Sequence, residues 1–309
     1  MTLNFRGLIA ATVLPMDSDA RVDEVALRGY IRWVAEQGVV GVAINADTGE
    51  SAHLSHPEKV RVLEVVREEL PAEVMMVAGL GGPYTELAVQ QAKDYRAAGA
   101  DALLVFPIPA YLSAPLDPEI PVRYHQAIAE VGVPLILFQL QPALGGVNYD
   151  RATLERLLAI EGVAALKEAS FDARRYMDTV AMVNDAGRDI AMLTGNDNFI
   201  YESFLLGADG ALIGFGAVMT REQVELIRLA HERRYDEAAP LAARVQRLAD
   251  AVFAPPVANY RARLKEALVM LGVLDNARVR EPLLPISDSE RRALREVLAD
   301  VGLLEAVAV

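Results

Sequence analysis

The sequence predicts an α/β fold: a (β/α)8 TIM barrel with a C-terminal helical extension. Short apolar runs alternate with segments of helical spacing, and each strand–helix unit spans roughly 25 to 30 residues, as βαβ units do. The first apolar run is not followed by a Gly-x-Gly-x-x-Gly turn, which disfavours the alternative of an open dinucleotide-binding sheet. A chain of 309 residues is long enough for one such barrel.

Each predicted strand is a short apolar run bounded by glycine, proline or charged residues. The first of these runs is closed by Pro15, and the second opens into a polar loop that begins at Asn45. The predicted strands are residues 5–14, 39–44, 73–78, 101–106, 133–138, 163–170, 189–193 and 210–213. Strands of parallel α/β sheets carry their chemistry at the carboxyl end, so the loops that follow these runs are where a site is expected.

The helices are predicted from apolar spacing and from residues suited to helix ends. In the first of them Leu27, Ile31 and Val34 share one face, and Gly38 stands where a C-cap belongs. Between the strands we predict helices at 23–37, 57–70, 85–98, 119–131, 150–158, 172–184, 199–206 and 220–232, and after them 235–252, 258–271 and 287–301. We therefore predict a barrel over residues 1–234 and a helical extension over 235–309 that packs on it.

Composition and charge narrow the classes of function. The formal net charge of −13 argues against nucleic acid and anionic membrane as partners. No apolar run approaches the ~20 residues of a membrane-spanning helix, and no basic segment precedes a long apolar stretch at the N-terminus. The absence of cysteine excludes disulfides and thiolate chemistry. We expect a cytoplasmic protein that acts on a small molecule.

One predicted strand ends in an amine and a carboxylate, Lys167 and Glu168. A lysine at the carboxyl end of a buried strand can be desolvated, which lowers its pKa and frees the amine to attack a carbonyl. The other interpretation of this stretch, taken alone, is an ordinary ion pair between Lys167 and Glu168.

Several strand-end segments together resemble a known family. The segment 164–170 resembles the strand-six motif of the dihydrodipicolinate synthase and N-acetylneuraminate lyase superfamily, and 46–50 is similar to its Gly-Thr-Thr-Gly-Glu loop. Gly79 to Gly81, Gly195-Asn196-Asp197 and Arg263-Leu264-Lys265 also fit, so the resemblance spans nearly the whole chain.

The resemblance implies a class I, Schiff-base aldolase mechanism in which Lys167 forms the imine with a 2-oxo acid. It implies no cofactor, no catalytic metal and a homo-oligomer, most often a tetramer. By the same resemblance we expect a substrate-binding set formed by Thr48, Glu50, Phe138, Gln139, Gly195, Asn196 and Gly214.

Two departures from the family pattern bear on the substrate. Phe138 stands where the family has a proton-relaying tyrosine, and Asp47 replaces a threonine that donates to the substrate carboxylate. We therefore do not expect dihydrodipicolinate synthase activity itself, and we expect a hydroxylated 2-keto-3-deoxy sugar acid to be cleaved or dehydrated. Asp47 could accept a hydrogen bond from a substrate hydroxyl, or sit protonated in an apolar mouth and act as the acid.

Tyr111 and Glu50 each have two interpretations. Tyr111 could supply the missing hydroxyl, or pack against a neighbouring subunit. Glu50 could pair with Asp47 as acid and base, or be a buried carboxylate that accepts loop amide hydrogen bonds. His53 lies near the second-strand loop, and the other histidines are predicted at the surface. A barrel that binds a small molecule without catalysis is the alternative function.

We predict a tetramer in solution, with the proline-rich segment 106–118 at a subunit contact, since this apolar segment follows a strand end and the family resemblance implies an oligomer. Sedimentation velocity at micromolar concentration measures the assembly. A single monomeric species would contradict the prediction.

Overall fold

The computed structural model describes residues 3–112 and 115–305, and within them eight parallel strands close into a barrel in chain order. The last strand pairs with the first, Leu8 aligning with Ala211. The strands are β1 Leu8–Ala11, β2 Gly41–Ile44, β3 Met75–Leu80, β4 Ala102–Val105, β5 Leu135–Leu140, β6 Val163–Ala169, β7 Ala191–Thr194 and β8 Gly210–Ile213. The predicted fold class is confirmed.

Helices surround the barrel, one after each strand, and three more follow the last of these. The barrel helices are α1 Glu24–Ala35, α2 His56–Glu69, α3 Thr85–Ala97, α4 Glu119–Ala129, α5 Arg151–Leu158, α6 Ala173–Asp185, α7 Ile200–Leu205 and α8 Thr220–His231. The extension contributes α9 Tyr235–Val252, α10 Tyr260–Met270 and α11 Asp288–Asp300. None of the helices described is both long and apolar enough to cross a membrane.

Capping residues explain where the helices begin. Asp23 accepts a hydrogen bond from the amide of Ala26 at the start of α1, and Ser55 forms a capping box with Glu58 at the start of α2. The predicted helix boundaries lie within two residues of the observed ones. The largest difference is at β1, which was predicted over residues 5–14 and is three residues shorter at each end. β5 begins two residues later than predicted and continues two residues past the predicted end at Phe138.

Two apolar layers separate the inside of the barrel from its outer shell. The inner cluster is formed by residues that alternate along the strands, among them Ile9, Val77, Leu104, Ile136 and Leu212. The residues between them pack outward against the helices in a larger cluster. This alternation decides which strand-end side chains point into the barrel mouth.

The extension is tied to the loop after β2 by a buried ion pair. The Nζ of Lys265 in α10 donates to Glu50, and both side chains are fully buried. Lys265 also donates to the main-chain oxygen of Arg278 at 2.6 Å, and the other oxygen of Glu50 accepts from the amide of Arg280 at 2.8 Å. Burial lowers the pKa of Lys265, although the charge of Glu50 opposes that shift.

The division into residues 1–234 and 235–309 stays a prediction, with residues 1–2 and 306–309 outside the described part. The contact segment 106–118 also stays a prediction, and its Ser113 and Ala114 lie outside that part as well. Its side chain at Leu112 is exposed, as is that of Leu144 in the neighbouring loop.

We predict that Lys265→Met lowers the free energy of unfolding by about 3 to 5 kcal/mol, because it leaves the Glu50 carboxylate buried without its cation. The double variant with Glu50→Gln should recover part of that loss, since no buried charge then remains. Chemical denaturation of the four proteins measures both effects. A loss below about 1 kcal/mol in the single variant would show that the pair does not hold the extension.

Candidate active site

Lys167 lies near the carboxyl end of β6 and points into the barrel mouth. Its side chain is 9% exposed, and its Nζ lies 4.2 Å from the centroid of the Phe138 ring on β5. Phe138 is in register with Lys167 and meets Phe106 edge to face at 5.2 Å. The amine thus lies over an aromatic wall rather than in water.

A β-bulge sets the direction of Lys167. Leu135 pairs with Val163, but the next residue of β5, Ile136, pairs with Ala165, so β6 has one extra residue at Ala164. Val163 packs in the outer cluster, whereas Ala165 and Ala169 pack in the inner one. Without the extra residue, alternation counted from Val163 would point Lys167 outward.

A buried carboxylate faces the amine from the loop after β7. Asp197 is 7% exposed and accepts a hydrogen bond from the amide of Phe215 at 2.9 Å. Burial raises the pKa of Asp197 to about 6, and the charge of Lys167 partly opposes that shift. Burial lowers the pKa of Lys167 to about 8, while the charges of Asp197 and Asp47 limit the shift.

The loop after β2 meets α10 at the other side of the mouth. Asp47 accepts a hydrogen bond from the Tyr260 hydroxyl at 2.8 Å and forms an ion pair with Arg261. The Asp47 side chain is 57% exposed, so it does not sit in an apolar mouth as one hypothesis required. Thr48, beside it, is buried.

Gly195 and Gly214, both predicted to bind substrate, leave room for side chains that line the mouth. A Cβ on Gly195 would lie 2.6 Å from the Cε of Lys167. A Cβ on Gly214 would lie 3.0 Å from the Oγ1 of Thr48 and 3.6 Å from the Cε2 of Tyr260. Both glycines therefore border the mouth through the absence of a side chain.

The expectation that Gln139 binds substrate is corrected by the strand geometry. Because β5 continues past Phe138, Gln139 alternates to the outer face. Its amide donates to Thr179 of α6 at 3.1 Å and accepts from the amide of Tyr149 at 3.1 Å. The residue joins β5 to the shell around the barrel.

Glu50 and Asn196 also have structural partners in place of a substrate. One oxygen of Glu50 accepts from Lys265 and the other from the main-chain amide of Arg280, so Glu50 is a buried carboxylate that accepts an amide hydrogen bond, as one interpretation predicted. The Asn196 amide donates to both the main chain and the side chain of Glu168 and accepts from the amide of Phe171. Glu168 therefore points away from Lys167, and the two do not form the simple ion pair considered above.

Tyr111 is buried in a cluster of aromatic rings. Its ring lies near those of Tyr124, His125 and Tyr149, with centroids 6.1 to 6.4 Å apart. Its hydroxyl has no hydrogen-bond partner within the described ranges, and burial raises its pKa. The catalytic role of Tyr111 stays a prediction. His125 is fully buried and not at the surface as expected, and burial lowers its pKa to about 4.

Three residues of the mouth were not assigned by the sequence: Asp197, Tyr260 and Arg261. Asp197 belongs to a motif that the sequence did show, directly after a predicted strand, and its position there was the available signal. Tyr260 and Arg261 lie in a distant helix, and no local pattern indicates that this helix reaches the barrel mouth.

Taken together, the mouth brings a desolvated amine near two carboxylates. The Lys167 amine can lose its charge near neutral pH because it is desolvated. Asp197 lies on one side of it, and Asp47 with its two partners borders the other. Such a set can attack a carbonyl carbon and move protons beside it.

Comparison with known proteins agrees with this arrangement. The model of the dihydrodipicolinate synthetase family matches residues 4–301. The 4-hydroxy-tetrahydrodipicolinate synthase of Chlorobium limicola is 31% identical, over 96% of this chain and 98% of that protein. The corresponding protein of Syntrophobacter fumaroxidans is 30% identical, over 97% of this chain and 100% of its own length.

A solved structure extends the likeness to three dimensions. The dihydrodipicolinate synthase of Acinetobacter baumannii complexed with pyruvate superimposes with a TM-score of 0.87 at 28% identity, covering 97% of this chain and 100% of the other. The match to the family model and the identity to full-length relatives cover nearly all of the described fold. The chain therefore belongs to the dihydrodipicolinate synthetase family and is an enzyme, a lyase of the class I aldolase type.

Proposed function

We propose that the enzyme acts on a hydroxylated 2-oxo acid, of the 2-keto-3-deoxy sugar acid type, through an imine at Lys167. The observation that carries the proposal is the desolvated amine of Lys167, which points into the barrel mouth over Phe138 and has a pKa of about 8. At pH 7 about a tenth of such amines are uncharged, far more than for an ordinary lysine. An uncharged amine can attack the C2 carbonyl and expel water.

The neighbours of Lys167 suit the steps that follow. The imine nitrogen, once protonated, carries a positive charge, and the nearby carboxylate of Asp197 favours it. The aromatic face of Phe138 attracts the same charge. The protonated imine withdraws electrons from C3, so that a proton there, or the bond between C3 and C4, can be broken.

The polar side of the mouth supports a hydroxylated substrate. Phe138 supplies no hydroxyl to the mouth. Asp47 is a hydrogen-bond acceptor, whereas a donor at this position would bind a substrate carboxylate and favour plain pyruvate. A carboxylate accepts hydrogen bonds from the hydroxyls of a sugar acid chain. The related synthase of Acinetobacter baumannii was crystallised with pyruvate, and pyruvate is the 2-oxo acid unit that such substrates share.

Borohydride reduction tests the imine. We predict that a 2-keto-3-deoxy sugar acid plus borohydride adds a stable mass to Lys167, one of four lysines in the chain with Lys59, Lys93 and Lys265. Lys167→Met should fold, form no adduct and lose turnover by at least about 10³-fold, since no other group forms the imine. Lys93→Met, at an exposed position, is the control.

The pH dependence adds a second criterion. A pKa lowered to about 8 means that the rate of adduct formation rises with pH up to about 8 and then levels off. A rate that continues to rise past pH 10, or an adduct elsewhere in the chain, would contradict the proposal. Tight binding of the same acids with no adduct at any pH would instead indicate a binding barrel without catalysis.

Substrate preference is tested at the two positions that depart from the family. We predict that the enzyme prefers a hydroxylated 2-oxo acid to pyruvate, and that Asp47→Thr reduces this preference in kcat/KM at least about 10-fold, since the hydroxyl loses its acceptor. Phe138→Tyr, alone and combined with Asp47→Thr, shows whether a phenol restores use of pyruvate.

The matched control is Asp300→Thr, because Asp300 is equally exposed and also paired with an arginine, Arg247. Should Asp47→Thr leave the preference unchanged, or should the wild-type enzyme condense pyruvate with aspartate semialdehyde efficiently, the substrate assignment is wrong.

A further inference from the structure

We propose that Tyr260 and Arg261 of α10 are positioning residues that hold Asp47 as the proton carrier of the reaction. The C-terminal helix is then part of the active site and not only a support for the barrel. This inference rests on the proposed function, because it concerns the proton that must move after the imine has formed at Lys167.

Three contacts hold Asp47, two at its carboxylate and one at its main-chain oxygen. The Tyr260 hydroxyl donates to Oδ2 at 2.8 Å, and the Arg261 guanidinium pairs with Oδ1. The Nε of Arg261 donates to the main-chain oxygen of Asp47 at 2.7 Å. Each carboxylate oxygen keeps a second lone pair, and the half-exposed side chain can present it to a substrate.

The two positioning residues are themselves held in place. The Tyr260 ring stacks on Phe253, with the two ring centroids 5.0 Å apart. The Arg261 guanidinium lies 4.6 Å from the centroid of the Tyr260 ring. One turn further along α10, Lys265 anchors the helix to Glu50, in the same loop as Asp47. The loop and the helix therefore form one rigid unit at the mouth.

Protonation divides the roles within this unit. Burial raises the pKa of Tyr260 well above its ordinary value, and the charge of Asp47 raises it further. The phenol thus keeps its proton and donates it as a hydrogen bond. Asp47, paired with Arg261, is left as the group that accepts a proton from the substrate.

The proton balance closes with Asp47 alone. In cleavage it takes the proton of the C4 hydroxyl, a carbonyl forms at C4, and the electrons of the C3–C4 bond move to the imine nitrogen to give an enamine. Asp47 then returns the same proton to C3. In dehydration it takes a proton from C3, and that proton leaves with the C4 hydroxyl as water.

The test compares imine formation with proton movement. Borohydride trapping measures the imine, and NMR measures deuterium uptake at C3 of pyruvate, and of 2-keto-3-deoxygluconate, in D2O. In Tyr260→Phe, which keeps the stacked ring, we expect trapping within about twofold of wild type and deuteration slower by at least about 10-fold. Tyr30→Phe, which also removes one buried hydroxyl, should change neither.

A double-variant cycle separates positioning from a general structural effect. Asp47→Asn should slow deuteration to a small but still measurable rate, and adding Tyr260→Phe should slow it no further, because the phenol acts through the carboxylate. If Tyr260→Phe fails to fold, Arg261→Gln replaces it, because Arg261 holds the other carboxylate oxygen of Asp47. It is likewise expected to keep borohydride trapping and to slow deuteration.

Normal deuteration in Tyr260→Phe overturns the inference, as does a further loss when the two changes are combined, or loss of trapping in a folded variant. Failure of the wild-type enzyme to form any trapped adduct overturns the proposed function, and this inference with it. Failure of the inference alone is therefore distinguishable, since the wild type is then still trapped.

Discussion

Removal of the Lys167 amine from water is the constraint on which the rest of the site depends. The bulge in β6 turns the side chain inward, the aromatic face of Phe138 lies beside the amine, and Gly195 leaves room for its methylene chain. Burying a charged amine is unfavourable, and the protein relieves this by letting the amine lose its proton more readily. The resulting instability of the ammonium form is what makes the lysine a nucleophile near neutral pH.

A second buried lysine shows the opposite solution to the same problem. Lys265 is fully buried, more deeply than Lys167, but it keeps an ion pair with Glu50 and a main-chain acceptor. A fully partnered amine is not free to attack a carbonyl, and its effect is to join α10 to the loop after β2. That junction brings Tyr260 within hydrogen-bond distance of Asp47. Lys167 thus has an amine that is free to react, whereas Lys265 fixes the position of α10 beside the mouth.

The sequence predicted the fold and the place of Lys167 at a strand end because both leave local signals. Apolar runs in strict alternation with helices indicate a barrel, and Lys167 stands directly at the end of such a run. Gly195 and Gly214, which follow predicted strands, border the mouth, and their role in substrate binding stays a prediction. These features depend on chain order and on strand polarity, which periodicity reveals.

The remaining assignments depend on geometry that periodicity does not contain. Gln139 faces outward because β5 continues past its predicted end, and Asn196 is turned toward Glu168 by hydrogen bonds across two loops. The contact of Tyr260 with Asp47 joins residues 213 positions apart, so only tertiary packing creates it. The family resemblance predicted Glu50 as a substrate-binding residue, but it did not show that the Glu50 carboxylate is paired with Lys265.

The central claim, that the fold lowers the pKa of Lys167 to about 8, can be measured directly. With only four lysines in the chain, 13C labelling of the lysine ε-carbons gives four NMR signals, and loss of one in Lys167→Met assigns it. The account predicts that the signal of Lys167 titrates with a pKa of about 8. Titration above pH 10, as for an ordinary lysine in water, would contradict it.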